Sequence, residues 1–288
     1  MDRIDAKLYL NLIRGGAARL GLHRQEINDL NVFPIPDGDT GDNMYMTIQA
    51  GCNPSTGPST GPSTSSGTGL TLPEVAKAVS AGMLMGARGN SGVILSRIFA
   101  GIARGLSGTA EADAAAFSRA MLAGVEESYR AVSEPVEGTI LTVFREGVQA
   151  AAGSKDLDEF FDLLVSAMDL SLAHTPELLA VLKEAGVVDS GGAGMLCIVE
   201  GMRAALHGET IELQEDTVPA AQKVDLNAFT EDSVLEFGYC TEFLLRLQRC
   251  KVDLETFDET VISDWLAQNG ESLVFFRDGS IIDRKSVV

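Results

Sequence analysis

The sequence predicts a mainly α-helical fold followed by the start of a small α/β domain. Three observations carry this. Ala, Leu, Val and Gly are abundant while aromatic residues make up only 6% of the chain, a mixture suited to closely packed helices rather than layered sheets. Apolar residues recur at helical spacing through most of the chain up to about residue 206. From about residue 238 the pattern changes to apolar–polar alternation, which suits strands.

The first helix is expected over 5–21, with Leu8, Leu12, Ile13, Ala17 and Leu20 on one side. Asn31 to Asn43 breaks the pattern with two prolines and two glycines, so a loop is expected there, with Pro34 and Pro36 holding extended backbone. Helix resumes from Asn43 to about Ala50. Residues 53–69 form a low-complexity Ser/Thr/Gly/Pro repeat with nothing to bury, expected to be a mobile surface insertion rather than a lid. Pro73 suits an early helical position. Further helices are expected over 91–106, 111–132, 138–152, 157–173, 176–185 and 192–206. The organisation read from this pattern is a helical domain over 1–208, an acidic linker over 209–224 and a partial α/β domain over 225–288. In the last, Gly238–Leu247 and Ser272–Phe276 read as strands and Leu254–Gln268 as a helix, with a βαβ flavour. The tail from Asp283 carries no interpretable signature.

Composition excludes several classes of function. Net charge is −19, from 41 acidic and 22 basic residues, and so acidic a surface repels nucleic-acid backbones and anionic lipid. No apolar run reaches the roughly 18 residues of a membrane span, so no stable membrane insertion is expected. The N-terminus lacks the pattern of a secretory signal. Cys52, Cys197, Cys240 and Cys250 show no framework spacing, so a cytoplasmic protein with reduced thiols is expected. His23, His174 and His207 are scattered and read as surface or cap residues. No Ser-His-Asp or Cys-His arrangement is evident.

The strongest chemical signal is Asp37-Gly38-Asp39-Thr40-Gly41-Asp42-Asn43. Two carboxylates one residue apart can turn toward one point, where like charges about 5 Å apart repel by roughly 3 kcal/mol at an effective dielectric of 20. A divalent cation reverses that penalty, and all-oxygen ligands favour a hard ion such as Mg²⁺ or Ca²⁺. Ile48 stands where a calcium loop needs its bidentate Glu, which demotes calcium. The competing structural reading is an Asp/Gly turn that caps the next helix. A second signal, Gly86-Ala87-Arg88-Gly89-Asn90-Ser91-Gly92, is a glycine-rich helix start that could receive an anion, though it could equally be an interhelical turn. It is not a Walker A loop. Glu137-Gly138-Thr139 and Val188-Asp189-Ser190-Gly191-Gly192 repeat the theme, and each alone is more often a cap than a ligand site. Together the four would form one mouth only if they meet at one end of a bundle.

These four segments, in this order, resemble the dihydroxyacetone kinase L-type domain. Within that family they are most similar to the ATP-binding subunit of bacterial fatty acid kinase. The resemblance spans roughly residues 5–206, and Phe237 to Phe276 is similar to the start of that subunit's middle domain. It implies an antiparallel eight-helix barrel with ATP or ADP and two Mg²⁺ ions at one end. Asp37 and Asp39 would then be catalytic metal ligands, with Asn31 a third metal ligand. Thr40, Gly41, Asn43 and Met44 would lie near phosphates or metals. Gly89, Asn90, Ser91 and Gly92 would cradle phosphate, with Thr139 and Asp189 beside the nucleotide. Asp42 departs from the small neutral residue usual there. The implied activity is transfer of the ATP γ-phosphoryl group to a fatty acid presented by a separate fatty-acid-binding protein of the DegV type. Cys240 matches a cysteine of the family's middle domain, but the later His-x-His pair is missing. A homodimer is compatible with the resemblance. The alternatives are a non-catalytic nucleotide-binding regulator or scaffold, and a dihydroxyacetone-type kinase subunit.

Overall fold

A computed structural model describes residues 3–34, 36–52, 69–209, 240–248, 251–269, 271–278 and 281–287. All but the last residue of the expected repeat at 53–69, and most of the expected linker at 209–224, lie outside the described residues. The chain divides into two compact units, Met1–Ile211 and Glu212–Val288.

The first unit is built from α1 (Ala6–Leu22), α2 (Arg24–Asp29), α3 (Thr40–Cys52), α4 (Leu72–Gly86), α5 (Gly89–Gly105), α6 (Ala114–Ala131), α7 (Ile140–Ala151), α8 (Leu157–Leu178), α9 (Ala180–Ala185) and α10 (Ser190–Leu206). Eight of these, leaving aside the short α2 and α9, pack on their neighbours in sequence, and α10 returns onto α1 to close the ring. Consecutive long helices run antiparallel, as where Gly86 meets Met46 and Ala50 while Gly51 meets Val79 and Met83. The apolar stripes of all eight meet in one core, which includes Tyr9, Ile48, Phe99, Phe117, Phe144, Phe160 and Phe161. Phe117, Phe160 and Phe161 form an aromatic cluster with centroids 5.6–5.9 Å apart, two of its pairs edge to face as ring quadrupoles favour. The expected eight-helix barrel is thus present.

Boundaries depart from the sequence reading at particular caps. The third helix begins at Thr40, three residues before the expected start, because Asn28 accepts hydrogen bonds from the amides of Gly41 (2.7 Å) and Asp42 (3.2 Å). α2, which supplies that cap, is six residues long, too short for periodicity to reveal. The expected 176–185 helix is split, since α8 runs through Pro176 to Leu178 and α9 begins after extended Leu179.

In the second unit, β1 (Cys240–Arg246), α11 (Thr260–Asn269), β2 (Glu271–Asp278) and β3 (Ile281–Val287) give a sheet of order β1-β3-β2. Both pairings are antiparallel, which corrects the βαβ expectation. The supposedly featureless tail is the central strand. Asp278-Gly279 is a hairpin signal, and Asp278 pairs with Ile281. α11 starts six residues later than expected, where Asp258 accepts from the Thr260 amide at 3.0 Å. Phe237 to Tyr239 and Cys250 lie outside the described residues.

Candidate functional site

The four helix starts singled out in the sequence do come together. Ser190 Oγ donates to Thr40 Oγ1 at 3.2 Å, and Met44 meets Gly194 one turn on, so α10 and α3 run side by side in the same direction. On the other flank of α3, the Arg88 amide donates to Thr47 Oγ1 at 3.2 Å. A Cβ on Gly92 would stand 2.4 Å from that same oxygen, placing the start of α5 against the first turns of α3. Ile140 packs on Gly191, and its amide donates to Asp189, joining the start of α7 to that of α10. The order α5–α3–α10–α7 forms one mouth with four N-termini on the same end.

Dipoles and free donors at such an end attract anions, but most of the donors are already taken. Thr139 and Asp189 cap α7 and α10 through their side chains. Asn28 caps α3. α5 has no side-chain cap. Its first residue, Gly89, has φ +61°, a turn that glycine adopts without strain. Beside it, Asn90 Oδ1 is buried without a hydrogen-bond partner, and an unsatisfied buried acceptor costs free energy until something occupies it.

The acidic loop adjoins α3. Asn31, 7% exposed, donates from Nδ2 to Asp37 Oδ1 at 2.6 Å, so the amide group it can offer an incoming cation is its oxygen. Asp37 is exposed and Asp39 half-buried. Among the described residues no three His, Cys, Asp or Glu side chains converge to hold a metal ion. The available donors are two carboxylates and neighbouring amide oxygens, a set that fits a hard, partly hydrated ion such as Mg²⁺.

Other sequence candidates sit where they offer the mouth less. The Gly41 amide is taken by Asn28, and a Cβ there would lie 2.2 Å from the Arg24 carbonyl. Met44 is fully buried. Asn43 is nearly buried, its amide donating to the Asp39 carbonyl at 2.8 Å. Thr139 Oγ1 donates to the Val136 carbonyl at 2.8 Å and caps α7. Ser91 lies half-buried beside Asn90. Asp42 turns to α2, pairing with Arg24 Nε at 3.0 Å and accepting from Asn28 Nδ2 at 2.9 Å. Sequence reasoning missed Arg24 and Asn28, and singled out Ser190 only as part of its helix start. Asn28 was hidden because its partners are 13 and 14 residues away.

Asp189 stands between α7 and α10, accepting from the Gly192 amide at 2.7 Å and from that of Ile140. Burial pushes its carboxyl up from its ordinary 3.8 to about 6, although both amides pull the other way. The folded chain therefore binds this proton more tightly, and stability falls as pH rises from about 4 to about 6. The shift corresponds to about 3 kcal/mol. Asp189→Asn keeps an acceptor for the Gly192 amide and removes the titration. Urea unfolding between pH 4 and 7 should show the variant gaining on the wild type up to about pH 6, then running parallel. A constant difference throughout would refute the assignment.

Comparison with known proteins places this architecture. Residues 34–204 match the DAK2 domain, the dihydroxyacetone kinase L-subunit type. The chain belongs to the DAK2 family. Relatives of the DAK2 chain include uncharacterised proteins of Staphylococcus epidermidis (39% identical, 98% of this chain and 50% of that protein) and Staphylococcus haemolyticus (37%, 98% and 50%). A Staphylococcus aureus relative is 37% identical over 98% of this chain and 51% of its own length. The chain thus spans about half the length of the curated relatives it matches. The C. freundii dihydroxyacetone kinase aligns with 69% of this chain and 34% of its own, at 16% identity and TM-score 0.49. That likeness is too slight to bear on function. No helix among the described residues is long and apolar enough to cross a membrane.

Proposed function

We propose that this DAK2 unit binds Mg²⁺–ATP at the mouth and is the nucleotide-binding part of a kinase that phosphorylates a fatty acid carried by a separate DegV-type protein. The observation that carries the nucleotide reading is the uncapped start of α5, packed on α3, the helix that the acidic loop leads into; the unpartnered Asn90 oxygen beside it is an acceptor that would take a donor of the nucleotide or the cation rather than a phosphate oxygen. Asp37, Asp39 and the Asn31 oxygen would hold the cation side. The amides at the start of α5, with Ser91, would hold the phosphate side, and Thr40 and Ser190 lie between. Bound Mg²⁺ would neutralise the charge of the transferring phosphoryl group. The protein's own share is to position the donors in advance, so that binding requires little reorganisation.

Calorimetry of ATP with and without Mg²⁺, on the wild type and Asp39→Asn, tests this. The variant should lose at least tenfold of the Mg²⁺-dependent affinity and little of the rest. Equal affinity in both proteins would sink the metal assignment. Addition of a DegV-type protein loaded with fatty acid should then give ATP-dependent acyl phosphate. ATP binding without that product would leave the regulatory reading, and turnover with dihydroxyacetone the sugar-kinase one.

A further inference from the structure

Asn28 touches both ends of the acidic loop. Its backbone carbonyl accepts from the Asn31 amide at 3.1 Å, and Asn31 in turn donates to Asp37. Its side-chain oxygen accepts from the Gly41 and Asp42 amides, and its Nδ2 donates to Asp42 Oδ2 at 2.9 Å. The side chain is almost fully buried. The stretch from Asn31 to Gly41, which contains Asp37 and Asp39, is thereby anchored at both ends to one residue of α2. Arg24 strengthens the anchorage from the same helix, pairing with Asp42 at 3.0 Å while its guanidinium lies 5.3 Å from the centre of the Tyr45 ring. Gly41 is what lets α2 approach so closely.

Two consequences follow from hydrogen-bond chemistry. The first donors of α3 are committed to Asn28, so this helix start cannot offer its Gly41 and Asp42 amides to phosphate. It serves the cation side of the mouth, and α5 is left to serve the anion side. The second concerns two carboxylates that repel when no cation is present. A loop fixed at both ends holds them near each other, whereas a loop free at one end relaxes them apart, and the cation must then restore the order.

We infer that Asn28 is a positioning residue that sets the Asp37–Asp39 loop for its divalent cation, with Asp42 as its partner. This rests on the proposed Mg²⁺–nucleotide site. The hydrogen-bond pattern specifies a test by exchange. Asn28→Asp keeps an acceptor for the two amides but sets a carboxylate against Asp42. Adding Asp42→Asn restores one donor and one acceptor across the same contact, with the roles exchanged.

Mg²⁺ would be titrated against the 288-residue chain at fixed ATP, alongside ATP binding in EDTA and a thermal melt. Asn28→Asp should weaken Mg²⁺-linked affinity about tenfold, with Mg²⁺-free ATP binding changed less than twofold. The double exchange should return the Mg²⁺-linked affinity to within about threefold of wild type. A purely structural role would instead lower Tm and both affinities together. If Asn28→Asp does not fold, Asn28→Ser is read in the same way, with amide exchange at Gly41 reporting whether the anchor is lost. A folded variant with unaltered Mg²⁺ dependence, or a double exchange that restores nothing, overturns the role of Asn28. A wild-type chain that binds ATP equally with and without Mg²⁺ overturns the site reading itself, which separates the two failures.

Discussion

Replacing Glu127 with alanine is expected to destabilise the helical unit by about 3–5 kcal/mol, the usual result of stripping one partner from a buried ion pair. Glu127 on α6 receives Arg97 and Arg104, both from α5. The side chains of Glu127 and Arg97 are only 8% and 5% exposed. Burial alone would raise the Glu127 carboxyl, but the two guanidiniums outweigh it and hold the group below its ordinary range. In the Glu127→Ala variant the buried Arg97 charge loses the Glu127 carboxylate. Arg104 is about half exposed and Arg130, at 3.5 Å, more so, so water compensates them and they add little. For a unit of this size the loss lowers Tm by roughly 10 °C. Removing both charges as Arg97→Met with Glu127→Leu should recover most of it, since the buried pair is then replaced by apolar side chains of similar volume. The sign with pH is the ordinary carboxylate one. The contribution is present above the unfolded value near 4.5 and lost as pH falls through the depressed folded value, so variant and wild type converge in acid. Urea titrations at pH 7 and pH 3.5 check both statements; equal stability at pH 7 would show that the pair contributes nothing.

How much of this was legible beforehand depended on the range of each interaction. Helices such as α1 and α5 announce themselves through local periodicity, and their observed limits lie within two residues of the expected ones. The acidic loop and the three glycine-rich starts were visible as residue types. That they share one mouth was not, because the Ser190–Thr40 contact joins positions 150 residues apart. The cap assignments divide for the same reason. Asp189 reaches its own helix at Gly192 and can be read from sequence, whereas the cap of α3 arrives from α2. The role of Asp42 stays open in the sequence, which shows its charge but not its partner, Arg24. The β3 strand was missed because Asp283, Arg284 and Lys285 dilute its apolar alternation, and only pairing with strands on both sides makes it a centre rather than a tail.

Gly201→Val should cost about 3 kcal/mol, at the upper end of what overpacking usually costs, and should also reach the mouth. A Cβ on Gly201 would lie 2.3 Å from the Gly15 carbonyl oxygen, and one on Gly15 2.5 Å from that of Gly201. Both obstacles are backbone, so no side-chain rotation relieves the clash and α1 must move away from α10. Even Gly201→Ala, which gains about 1 kcal/mol of helix propensity, should come out destabilised, because so close a contact opens the seam at which the barrel closes. The displaced helix carries Asp189 and Ser190 at its start, and Ser190 meets Thr40 at a hydrogen-bond distance of 3.2 Å that a shift of about 1 Å would break. Stability and nucleotide affinity should therefore fall together. Gly105→Ala provides the contrast. Its Cβ would stand 2.6 Å from Ala120 Cα, straining the α5–α6 seam at the C-terminal end of α5. It should lower Tm without weakening ATP. Calorimetry below each variant's melting range separates the cases. If Gly201→Val binds Mg²⁺–ATP as tightly as the wild type while melting earlier, the closure of the ring holds the fold but does not set the mouth.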